Sequence, residues 1–85
     1  MEKQEIRDRI VKVTAEVLSI DPDMIAPDSN FVFDLGAEST QSVQLVAAFE
    51  EEFDIEMEEE TALQVETVAA AVDFIADVVE QQSDQ

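Results

Sequence analysis

Phe33-Asp34-Leu35-Gly36-Ala37-Glu38-Ser39-Thr40 is the stretch where a long irregular segment turns into an amphipathic helix. Phe31 and Leu35 are apolar residues that can pin the end of that segment to a core. Gly36 is the only glycine in the chain. Three residues ahead of a helix start, it gives the backbone access to positive φ and so to a sharp turn. Ser39 then falls at the N-cap, half outside the helix and close to solvent. Two roles are open to it there. Its hydroxyl can simply cap the helix by accepting a backbone N–H, or it can be an exposed group presented for chemistry. The first turn of the helix would seat a phosphate on that hydroxyl, since it offers unpaired N–H groups and the positive end of the dipole.

The helix that follows is expected from about Ser39 to Phe53. Val43, Val46, Ala47, Glu50 and Phe53 follow helical spacing, and Leu45 and Phe49 widen the apolar face. Upstream, Ile6, Ile10, Val13 and Val17 mark one face of a first helix over about residues 3–19. Glu5 with Arg9 and Asp8 with Lys12 are available as i,i+4 pairs. Asp21-Pro22 is expected to end it. The connection from Asp21 to Glu38 is long for a small domain, a length that usually marks a functional loop. Its apolar residues Met24, Ile25, Phe31, Phe33 and Leu35 predict a packed crossover. Downstream, Thr61-Ala62-Leu63 reads as a brief third helix. Thr67 can cap a last one, with Val68, Ala71, Val72, Ile75 and Val79 as its buried stripe and Phe74 and Val78 beside it. Residues 81–85 are expected to fray. The fold class predicted is all-α: a small four-helix bundle of three long helices and one short, with a long loop between the first two.

Composition narrows the function. Eighty-five residues suit a single domain, 1–85, with one modest core. There is no cysteine and no histidine, so thiolate chemistry, disulfides and the commonest general base are all absent. Asp21-Pro22-Asp23 and Asp54-Ile55-Glu56 lack the loop and central glycine of a calcium site, and no dedicated metal site is expected. No apolar run is long enough for a membrane span, and Met1-Glu2-Lys3-Gln4-Glu5 does not lead into a signal-peptide core. A soluble, cytoplasmic protein is the expectation. With 22 acidic and 4 basic residues the net charge is −18. All four cations (Lys3, Arg7, Arg9, Lys12) precede Val13, and 19 of the acids follow it. Binding to nucleic acid or to an anionic bilayer is therefore not expected. The field favours basic protein partners and fast, salt-sensitive association.

Asp34-Leu35-Gly36, Ala37, Ser39 and a helix closing on Glu50-Glu51-Glu52-Phe53 closely resemble the acyl carrier protein family, and the resemblance extends over nearly the whole chain. That resemblance implies that Ser39 is the attachment point for 4′-phosphopantetheine, donated by coenzyme A through a separate phosphopantetheinyl transferase. The arm would carry acyl groups as thioesters in a fatty acid, polyketide or other specialised pathway. It implies a carrier and not an enzyme, expected to be monomeric. Its partners would be acyl-transferring, condensing and reducing enzymes with basic docking patches. Val43, Val46, Val65 and Ala71 are the positions that would lie near an acyl chain, and ordinary core is the alternative for each. Glu38 stands where the family usually has aspartate, Thr40 where it has leucine, and Phe33 where acid is common. Gln41 and Gln44 replace frequent carboxylates. These five residues are the expected partner-binding positions, and they predict a docking face less acidic and more apolar around Ser39. An aminoacyl or peptidyl carrier and an unmodified acidic adaptor are the competing functions.

Overall fold

Helix α1 spans Lys3–Leu18, α2 Ser39–Phe53, α3 Glu59–Ala62 and α4 Val68–Ser83. The computed structural model describes residues 1–83. A short 3-10 turn, Pro22–Met24, lies in the long connection. The bundle of three long helices and one short helix is thus present, and the α2 limits coincide with those expected.

Helix α1 lies against both α2 and α4. Its apolar face is Ile6, Ile10, Val13 and Leu18, with Ile10 fully buried at 0% exposure. Val17 is only half-buried, since Leu18 occupies the core position. The helix ends at Ser19, which adopts a left-handed conformation (φ 56°), two residues before the Asp21-Pro22 stop that the sequence suggested. Arg9 lies 3.7 Å from Glu5 as expected. Asp8 accepts instead from Gln4 Nε2 at 3.0 Å.

The same α1 carries every cation and uses two of them to tie down its neighbours. Lys3 reaches Asp73 of α4 at 2.8 Å, and that hydrogen bond, reinforced by the charge of Asp73, holds the Lys3 ammonium above its ordinary pKa. Arg9 Nε donates to Glu52 Oε2 at 2.7 Å and its Nη2 donates to the Glu52 carbonyl at 3.0 Å. Its guanidinium also sits 5.1 Å from the Phe53 ring centroid. A cation at the last turn of α2 complements the helix dipole and satisfies a free carbonyl. Among 22 acids, these contacts leave most carboxylates uncompensated. Raising salt from low to moderate is expected to raise the melting temperature by several degrees, the shift that about 1 kcal/mol produces in a domain this small. A flat melting temperature across that range would show the carboxylates to be too far apart to repel.

Within the core, Thr14 is fully buried and its Oγ1 has no hydrogen-bond partner among the described residues. Such an orphan costs about 1–3 kcal/mol. Thr14→Val keeps the shape and removes the hydroxyl, and should stabilise the protein by about 1 kcal/mol in urea denaturation. A destabilised variant would mean that the hydroxyl is solvated in solution.

The connection between α1 and α2 is stitched to the start of α4. Ser29 and Pro27 carbonyls accept from Val68 N–H (3.1 Å) and Ala69 N–H (2.8 Å), and Phe31 N–H donates to the Glu66 carbonyl at 2.9 Å. Thr67 Oγ1 accepts from Ala70 N–H at 3.2 Å, the cap expected of it. The loop thereby satisfies two N–H groups that a helix start leaves open. Asn30 and Thr67 form an isolated bridge. At the other end of α4 the helix continues through 81–83, where fraying was expected. Gln82 donates to the Glu56 carbonyl (2.8 Å) and accepts from its N–H (3.0 Å). Positions 84 and 85 of that expected tail lie outside the described residues.

Candidate functional site

Ser39 is the first residue of α2, and the N-cap is Glu38, in an extended conformation (φ −83°, ψ 169°). This corrects the expectation that Ser39 caps the helix. Gln41 Oε1 accepts from Glu38 N–H at 3.0 Å, and the Glu38 carbonyl accepts from Ser42 N–H at 2.8 Å. The Glu38-x-x-Gln41 spacing is that of a capping box. With the cap supplied one residue earlier, the Ser39 side chain is exposed and its hydroxyl is not consumed in holding the helix. No acidic residue lies in the first turn of α2, so the dipole there is uncompensated from within the helix.

The turn ahead of the serine is held by side chains. Asn30 Oδ1 accepts from Val32 N–H and Phe33 N–H, both at 2.9 Å. Asp34 Oδ2 accepts from Asn30 N–H at 2.7 Å. Gly36 has φ +75°, and a Cβ there would meet nothing within 4 Å. The demand for glycine is therefore conformational and not spatial. Phe31 is buried as expected and its ring lies 6.5 Å from that of Phe49, tilted by 57°. Leu35 is half-buried.

Below this turn, a cavity of about 230 Å³ opens between α2, the loop, the α3 region and α4. Its walls are apolar and include Phe31, Leu45, Val46, Phe49, Val65, Ala71 and Phe74. Val46, Val65 and Ala71 all line it. Val43 does not: it is 43% exposed and lies outside the lining. The core stripe of α2 is Leu45, Val46, Phe49 and Phe53, so Val43 and Ala47, read as core from spacing, face solvent. Of the positions expected to meet partners, Phe33, Glu38, Thr40 and Gln44 are exposed and Gln41 is half-buried. The cavity residues missed in sequence, Leu45, Phe49 and Phe74 among them, repeat at three and four on α2 and α4.

Chemically the arrangement offers a hydroxyl without a base. Among the described residues, none is hydrogen-bonded to the Ser39 side chain, and no group of three or more acidic side chains could hold a metal ion. A serine becomes a nucleophile only when a neighbouring group takes its proton. The described residues thus offer an exposed serine at a helix start and, separately, an apolar cavity, with no base of their own for the hydroxyl.

Residues 8–75 match the family model described as "Phosphopantetheine attachment site". The chain is 46% identical over 74 residues to the acyl carrier protein of Picosynechococcus sp., spanning 87% of this chain and 91% of that protein. It is 41% identical over 75 residues to the acyl carrier protein of Cyanidioschyzon merolae, spanning 88% and 82% respectively. The chain belongs to the acyl carrier protein family. It is a carrier and not an enzyme, its cofactor is phosphopantetheine, and it works with a phosphopantetheinyl transferase and with biosynthetic enzymes. No helix among the described residues is long and apolar enough to cross a membrane.

Proposed function

We propose that Ser39 carries the phosphopantetheine arm and that the cavity lined by Val46, Val65 and Ala71 shelters the apolar part of the cargo. The observation that carries this reading is the exposed Ser39 hydroxyl at the first position of α2, left free because Glu38 supplies the cap. When attached, the arm supplies a terminal thiol on which acyl groups travel as thioesters. The chain's own contribution is to hold the hydroxyl at a rigid helix end and to place N–H donors of the first turn beside the phosphate. The apolar cavity lining favours acyl over aminoacyl cargo, because an ammonium there would be desolvated without a partner. Acyl-transferring, condensing and reducing enzymes bearing basic patches suit a surface of net charge −18, which also opposes self-association and supports a monomer. A cytoplasmic site of action accords with such partners.

The test is intact mass after incubation with coenzyme A and a broad-specificity phosphopantetheinyl transferase, followed by peptide mapping. One addition, on the peptide containing Ser39, is expected. Addition elsewhere, or none from this transferase and from one of the same source on protein shown to be folded, would overturn the assignment.

A further inference from the structure

The mouth of the cavity has an apolar rim that the fold itself leaves uncovered. Phe33 is 86% exposed, the most exposed large apolar side chain among the described residues, and Val32 and Leu63 are about half exposed. All three line the same opening. Phe33 is not on a loose segment, since Asn30 Oδ1 holds its N–H and that of Val32 and Gly36 N–H closes onto the Val32 carbonyl at 3.1 Å. A ring held out in water by a hydrogen-bonded turn is pre-organised for binding.

Next to this rim runs a helix surface without charge. Residues 39–49 contain no ionisable side chain, although 31% of the chain is charged. Thr40, Val43, Gln44 and Ala47 are exposed along it. Acid returns at half-buried Glu50, and the next carboxylate, exposed Glu51, lies about 18 Å along the helix from Ser39 at 1.5 Å per residue. Exposed carboxylates stand at both ends of this neutral stretch, Glu38 beside the serine and Glu51 at the far end, and the helix surface between them is uncharged. A second copy of the chain would bring like charge to that distant end, and an anionic lipid surface would do the same.

We propose that Phe33 is the anchor by which the enzymes acting on Ser39 dock. Its ring enters an apolar socket on the partner, the neutral face of α2 lies against an uncharged surface, and a basic cluster of the partner meets Glu51 at the far end. This inference rests on Ser39 as the attachment residue. Aromatic anchors in apolar pockets carry most of the energy of such interfaces, while rim charges tune encounter rate.

Phosphopantetheinyl transfer measured against carrier concentration tests it. Phe33→Ala is expected to raise KM about tenfold with kcat changed by less than about twofold, and Phe33→Leu to recover most of the loss. The Phe33 effect should persist from low to moderate salt, whereas the smaller KM increase of Glu51→Gln should fade. An unchanged KM for Phe33→Ala with the parent normally loaded overturns this proposal alone. So does a Phe33 effect that disappears with salt, or a KM increase matched by a lower melting temperature, which would assign the ring to the fold. Failure to load the folded parent removes the Ser39 assignment and this proposal together.

Discussion

Ser39→Ala is expected to abolish phosphopantetheine loading while leaving the melting temperature within a few degrees of the parent. The two halves of that result have separate causes. Loading needs an oxygen at this position, and alanine has none. Stability does not need it, because Glu38 provides the cap and the hydroxyl makes no hydrogen bond among the described residues. Had Ser39 been the N-cap, the same substitution would cost about 0.5–2 kcal/mol and lower the melting temperature measurably. Intact mass and a thermal melt on one preparation read both quantities. Loading that survived in Ser39→Ala would move the attachment point to a neighbouring hydroxyl, exposed Thr40 or half-buried Ser42, and would refute the site as described.

Ile10→Ala should have the largest effect on folding. Ile10 is wholly buried near the middle of α1, the helix that packs on both α2 and α4. Truncating a buried isoleucine costs about 2–5 kcal/mol, with the loss set by the cavity left behind. Small domains hold only about 5–15 kcal/mol in total, and this one also carries a net charge of −18. The variant is expected to lose roughly half its stability or more in urea denaturation. Its stability should also respond more visibly to salt, since charge screening then decides whether it folds. A loss below about 1 kcal/mol would mean that α1 yields and refills the space.

The long helices were legible because their apolar residues alternate with charge. On α1 and α4 that contrast fixes the buried face: Ile6, Ile10 and Val13 on one, Val68, Ala71, Val72 and Ile75 on the other. On α2 the limits were readable but the face was not fully so. With no charge between positions 39 and 49, spacing alone could not decide between Val43 and Leu45 as core, and Val43 proved to face solvent. Ser39 was misplaced by one residue for a related reason. Serine is a stronger cap former than glutamate by type, but Gln41 at the third helical position pairs with Glu38 and shifts the helix start. The Glu38-x-x-Gln41 spacing was the available signal. The cavity was legible only in part, since it forms where Phe31, Val46, Val65 and Phe74 meet from four separate segments. The docking role of Phe33 and the neutral face remains a proposal, and its apolar character was the part readable in sequence.

The stitching of the loop to the start of α4 has a consequence for when the protein becomes usable. Ser29 and Pro27 hold N–H groups of Val68 and Ala69, and Phe31 is tied to Glu66. The turn that presents Ser39 therefore acquires its native supports only after about 28 further residues have been added, a delay of seconds at typical rates of polypeptide synthesis. A nascent chain on the ribosome shows the serine in an unfinished frame. The finished frame first exists once Glu66, Val68 and Ala69 have joined it, so a chain interrupted ahead of them would display the serine on a turn without its native supports.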